Sequence, residues 1–160
     1  MKILLAADGS PHTQLAARQL VSHLAWFAQY PEVHIVHVQP PFPYARAASI
    51  AGKAAVESYQ REESDAALAV AENELRKAQV PYVSIWRVGE IAAELAAYVN
   101  ENGIDLVVMG SHGKGALANL ALGSVATRCI AMLDVPVMIV SRAPAKKAAI
   151  KSARAPAKTR

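Results

Sequence analysis

The stretch Ile104–Val125, IDLVVMGSHGKGALANLALGSV, decides the fold. Its opening, Ile104 to Met109, is a short apolar run of the length of a buried strand. Gly110 ends that run, and the chain passes through Ser111-His112-Gly113-Lys114-Gly115 to Gly123-Ser124, from where the pattern turns helical. A buried strand, a glycine loop and a helix start, in that order, make an anion site. Glycines let the backbone approach a phosphate closely, and the N–H groups of a helix's first turn point at it. The spacing is Gly110, two residues, Gly113, nine residues, Gly123, then Ser124. It is neither the dinucleotide fingerprint nor the P-loop, because no Gly-Lys-Ser/Thr closes it. Glycines at strand ends commonly do no more than permit turns, and spacing alone leaves that alternative open.

The rest of the chain alternates around this unit. Lys2 to Ala7 is a second buried run. Asp8-Gly9-Ser10-Pro11 follows, with Ser10 suited to a helix N-cap and Pro11 to the first helical position. Ala16, Leu20, Leu24 and Phe27 recur at helical spacing and predict a helix over Pro11–Ala28, ended by Tyr30-Pro31. Val33–Val38 is a strand. Its histidines, His34 and His37, point to opposite faces, which argues against a shared metal. Gln39-Pro40-Pro41-Phe42-Pro43 is a rigid exit loop. A long helix is expected from about Ile50 to Ala78, with Leu68, Ala71, Leu75 and Ala78 on one face. Pro81–Val88 reads as a strand broken by Gly89. Ile91, Leu95, Tyr98 and Val99 form the stripe of a helix ending near Asn102-Gly103. After the glycine loop, Ser124–Leu133 is a helix with Val125, Cys129 and Met132 inward, and Val135–Val140 is the last strand. Five strands alternating with four helices predict a single α/β domain, an open parallel sheet with right-handed crossovers and helices on both faces. No internal repeat is visible.

Composition bounds the function classes. A chain of 160 residues is one domain, long enough for a proper core. Although 53% of residues are hydrophobic, no apolar run reaches the ~18 residues of a membrane span. The opening MKILLAADGS is too short for a signal-peptide core. The single cysteine, Cys129, excludes an internal disulfide, fits a reducing cytoplasm and reads as a small core residue. The net charge of +4 is misleading, because residues 142–160 hold seven basic residues and no acid. Removing them leaves ten basic residues against 13 acidic ones in residues 1–141, a body of about −3. The sequence therefore divides into a folded body, 1–141, and a basic tail, 142–160, whose Ala, Lys, Arg and Pro content without aromatics reads as disordered. Any weak contact with polyanions belongs to that tail.

The spacing G-x2-G-x9-G-[ST], with an early strand ending in Asp8, resembles the universal stress protein family in its ATP-binding branch. The resemblance runs from Met1 to about Arg142. It implies a Rossmann-like sheet of order 3-2-1-4-5, with Asp8 and Gly110 facing one crevice where the strand order reverses. By the same resemblance Ala6, Asp8 and Val38 line the adenine and its sugar, and Val38 acts mainly through its backbone. Met109 and Gly110 flank the ribose, and His112, Gly113, Gly123, Ser124 and Val125 cradle the phosphates. Lys114 is a weaker candidate for neutralising phosphate charge. Asp8 is the candidate carboxylate for a Mg²⁺ ion beside the nucleotide. The last strand falls at the sheet edge, which implies a homodimer through Val135–Val140. Two positions depart from the family pattern: Ala6 stands where proline is frequent, and Gly9 makes the first loop more pliable.

The function implied is an ATP-binding, nucleotide-dependent stress-response regulator in the cytoplasm. Two alternatives stay open, an oligomeric interaction module with incidental nucleotide and a slow ATP hydrolase. No paired carboxylates accompany the loop, and His112, its one candidate base, has no orienting partner evident in the sequence. A response-regulator receiver, the rival of similar topology, fails because Asp8 stands alone and Val140 leads to Ser141-Arg142.

Overall fold

Strand β1 (Lys2–Ala6) is apolar on both faces because it is the central strand. The computed structural model describes residues 1–41, 52–115 and 122–141, and pairs β1 in parallel with β2 (Glu32–Gln39) on one side and β4 (Leu106–Gly110) on the other. Strand β3 (Tyr82–Val88) pairs with β2 and β5 (Val137–Val140) with β4, also in parallel, so the order is β3-β2-β1-β4-β5. This is the five-stranded parallel sheet expected from the sequence.

The pleat sorts side chains into two cores. Ile3, Leu5, Val33, Ile35 and Val108 face helices α1 (Pro11–Ser22) and α2 (Lys53–Lys77), where Ala16, Ala17, Leu20, Leu68, Ala71 and Leu75 are buried. Leu4, Val36, Val38, Val107 and Met109 face α3 (Ile91–Asn102) and α4 (Ser124–Met132), against Leu95, Tyr98, Val99, Ala126 and Cys129. Cys129 is fully buried, and burial foremost pushes its thiol up to about 11, so it is the inert core residue expected. The buried His34 and His37 go to separate partners: the His34 ring meets the Tyr98 hydroxyl at 2.7 Å and the His37 ring meets the Ala7 carbonyl at 2.7 Å. They share no site.

The structure corrects four details. Helix α1 stops at Ser22, not Ala28, and a 3₁₀ turn, Leu24–Trp26, follows. His23 caps the helix end through its own ring, which meets the Gln19 carbonyl, and Trp26 is 70% exposed. Met132 is 45% exposed rather than inward, because α4 ends there and Leu133 takes the place against the core. Ala78 is the exposed C-cap of α2, and the buried face of that helix instead begins further back, at Ser64 and Ala67. Strand β5 starts at Val137 because Pro136 has no N–H to give, although its carbonyl still accepts from Val107. Phe42-Pro43, the beginning of the long helix near Ile50, residues 116–121 and the basic tail lie outside the described residues. No described helix is long and apolar enough to cross a membrane.

Candidate functional site

The strand order reverses between β1 and β4, and a crevice opens at their carboxyl ends, the position where open α/β sheets bind ligands. The cavity there measures about 410 Å³, within the usual range for small-molecule pockets. Ala6, Asp8, Val38, Met109, Gly110, His112, Gly113, Gly123, Ser124 and Val125 all line it. Thus the structure gathers every residue singled out in the sequence around one space. It adds Val36, Ile91 and Leu95 as apolar wall and Ser111 and Ala126 near the loop, and it places Lys114, the weaker candidate, on the same lining.

Asp8 is the hinge between the two ends of the cavity's rim. Ser10 caps α1 by accepting from Thr13 N–H at 3.2 Å, which holds Thr13 where its hydroxyl donates to Asp8 Oδ1 at 2.6 Å. Ser10 N–H donates to the same oxygen at 3.0 Å. The other oxygen, Oδ2, accepts from Lys114 N–H at 2.9 Å, across 106 positions of sequence. Burial pushes the Asp8 carboxyl up, but the bonds from Thr13, Ser10 and Lys114 together outweigh it and hold its pKa below the ordinary 3.8. Oδ1 is filled by two donors, whereas Oδ2 keeps one lone pair for a ribose hydroxyl, a water or a cation. Gly9 is not the slack the sequence suggested. It sits at φ +75°, and a Cβ there would come within 2.9 Å of Ala67 Cα, so the turn is packed and Asp8 is aimed.

Each glycine of the motif answers to a neighbour within the protein. A Cβ at Gly110 would stand 2.7 Å from His12 Cβ, one at Gly113 2.5 Å from Asp8 Oδ2, and one at Gly123 3.1 Å from the Ser111 carbonyl oxygen. None of the three is at positive φ. Gly113 therefore needs room rather than backbone freedom, and the room is first of all for Asp8. Gly123 N–H donates to Ser111 O at 2.7 Å and closes the loop's base.

Helix α4 starts immediately beyond, with Gly123 as an N-cap that offers no side chain. Its first internal bond runs from Thr127 N–H to Gly123 O. Among the described residues no acceptor meets the N–H groups of Ser124, Val125 and Ala126, and all three residues line the cavity. No acidic residue occupies that first turn. Three donors without an acceptor among the described residues and the positive end of a helix dipole form an anion-binding end, opposite the apolar wall of Val36, Val38, Ile91 and Leu95. His112 is half-buried, and its Nδ1 lies 3.0 Å from Ser111 Oγ. Ser111 is thus the orienting partner that the sequence did not reveal.

Sequence reasoning also missed Thr13, Ile91 and Leu95. Ile91 and Leu95 are read correctly as the stripe of α3, but nothing in a stripe says that its first turn borders a cavity. The Ser10-x-x-Thr13 spacing at a helix start was the available signal for Thr13.

Known proteins share this sequence pattern and this fold. The sequence model of the Universal stress protein family matches residues 1–141. Universal stress protein YxiE of Bacillus subtilis is 31% identical over 147 residues, covering 87% of this chain and 97% of the relative. Among solved structures, that of MJ0577 superposes with a TM-score of 0.73 at 25% identity, covering 90% of this chain and 97% of the other. The universal stress protein of Archaeoglobus fulgidus in complex with dAMP superposes with a TM-score of 0.61 at 18% identity, covering 87% and 96%. Similar folds, at TM-scores of 0.62, are an Arabidopsis thaliana family protein with AMP bound and a universal stress protein in complex with cAMP.

Proposed function

This chain belongs to the universal stress protein family, and on that footing we propose that it is an ATP-binding member that acts as a nucleotide-dependent stress-response regulator. Structural neighbours hold AMP, dAMP and cAMP, so the coarse ligand class in the fold is the adenine nucleotide. The observation that carries the reading for this chain is the pairing of an apolar wall with three α4 N–H groups that no acceptor meets among the described residues, around one cavity. The base would lie against Ala6, Val36 and Val38, and the ribose beside Met109, Gly110 and the remaining lone pair of Asp8. Phosphates would take the donors of Ser124, Val125 and Ala126, with His112 and Gly113 along the loop and the Lys114 ammonium as a mobile counter-charge. Mg²⁺ would keep most of its waters and use Asp8 Oδ2 as its one carboxylate position. Mass spectrometry of the native protein tests the reading: ATP co-purifying with the full chain supports it, and an empty site favours an interaction module.

The regulator reading over the hydrolase rests on what the cavity offers chemically. Asp8 is the only carboxylate among its described lining residues, and three hydrogen bonds already commit it. That leaves His112 as the group able to take a proton from water. With a single base and no acid opposite it, steady-state phosphate release from Mg²⁺-ATP should stay well below the ~10 s⁻¹ typical of enzymes, and His112→Ala should change it little. A turnover of several per second that His112→Ala abolishes would replace the regulator with a hydrolase.

The edge strand argues for a homodimer. Val137–Val140 carries one unpaired side of β5, and exposed apolar edges are covered or paired in native proteins. The expected assembly joins β5 to its copy, antiparallel, about a twofold axis. Sedimentation should give a dimer at micromolar concentration, and Ile139→Pro, which removes an N–H from the free side of β5, should shift it towards monomer. A wild-type monomer at that concentration rules the assembly out. The basic tail, with its seven charges, is a separate unit whose contacts with polyanions would be weak and salt-sensitive.

A further inference from the structure

The ladder between β1 and β2 stops where a side chain takes its next acceptor. In a parallel pair, successive residues of a strand turn their N–H and carbonyl to alternate neighbours. On β2 the Val36 carbonyl accepts from Ala7 N–H at 2.9 Å on the β1 side, and the Gln39 carbonyl accepts from Gly89 N–H at 3.1 Å on the β3 side. Val38, two residues after Val36, therefore turns its N–H towards β1, where its regular partner would be the Ala7 carbonyl. That carbonyl is already taken. It lies 2.7 Å from His37 Nδ1, and because a carbonyl oxygen can only accept, Nδ1 carries the proton and donates it. Among the described residues no acceptor meets Val38 N–H, and Val38 lines the cavity. We propose that His37 is a positioning residue of the nucleotide site: by holding the Ala7 carbonyl it releases Val38 N–H to donate to a ring nitrogen of the base.

This role rests on the adenine-nucleotide reading and follows from how the ring is placed. By the period of the strand His37 shares a face with Val33 and Ile35, on the side of α1 and α2. After Ala7 the chain turns to that same side, where Asp8 N–H donates to Thr13 Oγ1 of α1 at 3.0 Å, and so the Ala7 carbonyl comes within reach of the imidazole. The ring is itself held. Its Nε2 meets Gln39 Oε1 at 3.2 Å, and His37 is 6% exposed. Ala7 is buried as well, and a buried carbonyl is costly to leave without a donor. With the imidazole in place, that donor is a side chain. Without it the ladder's own donor is Val38 N–H, and the strands would pair one rung further, into the space of the base. A peptide N–H recognises adenine through its unprotonated N1 and disfavours hypoxanthine, whose N1 carries a proton.

The test joins NMR of the full chain without nucleotide to calorimetry with ATP and with inosine triphosphate (ITP). The hydrogen-bond scalar coupling between the Val38 amide and the Ala7 carbonyl should be absent in the wild type and present in His37→Ala. ATP affinity should fall about tenfold in His37→Ala, the loss of one hydrogen bond to the base, whereas ITP affinity should change little. His37→Asn sets an amide nitrogen where Nδ1 stands and should recover most of the ATP affinity. His37→Gln, whose nitrogen falls nearer the place of Nε2, should not. His34→Ala removes a comparably buried imidazole of β2, bonded to Tyr98 instead, and should bind ATP as the wild type does, which separates positioning from lost packing. A Val38–Ala7 coupling in the wild type, wild-type ATP affinity in His37→Ala, or equal affinities in His37→Asn and His37→Gln overturns the proposal. The coupling is read without nucleotide, and a wild type that binds no ATP fails before any variant is compared, so failure of the ATP reading is told apart from failure here.

Discussion

Gly113→Val lowers ATP affinity about a hundredfold, a loss of about 2.7 kcal/mol, while the domain stays folded. The cause is inside the protein. Any Cβ at position 113 stands 2.5 Å from Asp8 Oδ2, well inside contact distance. That oxygen belongs to a short side chain held from three directions by Thr13, Ser10 and Lys114, so it cannot swing aside without breaking a bond. The loop gives way instead, and the bond from Lys114 N–H is the first lost. The loop then moves off the α4 N-terminus, and phosphates lose the cradle that His112 and Gly113 complete. Valine adds β-branched bulk to the same displacement. Position 113 is exposed and far from both cores, so the cost to stability is limited to about 1–3 kcal/mol of strain. Calorimetry with ATP and thermal melting read the two effects separately. Wild-type affinity in this variant would mean that the loop is not part of the site.

Asp8→Asn is the second large effect, expected at tenfold or more in ATP affinity, roughly 1.4 kcal/mol or above. An amide can satisfy only one side of this junction. With its oxygen kept towards Ser10 N–H and Thr13 Oγ1, its NH₂ faces Lys114 N–H, donor against donor. A charged hydrogen bond contributes about 1.5–3 kcal/mol, and its loss here also leaves Lys114 N–H without its acceptor. Removing a negative charge near phosphates works the other way, but by only about 1 kcal/mol at several ångströms in a solvated site. The lost tie wins, and binding weakens. Stability should fall with it, by about 1–2 kcal/mol at neutral pH. The sign follows the depressed pKa of Asp8: its contribution is present above the ordinary 3.8 and disappears as pH falls through the folded value. The difference between wild type and Asp8→Asn in urea midpoint should therefore shrink on acidification. An Asp8→Asn protein that binds ATP at least as tightly as wild type would show that charge, not the tie to the loop, is what Asp8 contributes.

How much of this was legible in the sequence depends on the range of each interaction. Strands buried on both faces announce themselves as apolar runs, which is why Lys2–Ala7 and Ile104–Met109 fell within a residue or two of β1 and β4. The glycine spacing, the Ser10-Pro11 helix start and the lone Asp8 are local patterns, and the family resemblance they carry supplied the ten residues that line one cavity. What stayed hidden depends on register between distant elements. Lys114 meets Asp8 only because β1 and β4 are neighbours, and His12 meets His112 only because Gly110 lets α1 approach. Helical periodicity also overran its ends. Leu24 and Phe27 keep the spacing of α1 and pack beside its core, but they do so from a 3₁₀ turn and an extended residue, because periodicity records which side is buried and not how the backbone gets there.

The most direct test of the central claim is a calorimetric titration of ATP into the full wild-type chain, repeated with AMP. The account predicts one saturable site per chain for ATP, in the micromolar range of about −8 kcal/mol. AMP should bind more weakly, because fewer of its phosphate oxygens reach the N–H groups of Ser124, Val125 and Ala126. A titration with no saturable heat for ATP, or one in which AMP binds as tightly as ATP, would contradict it.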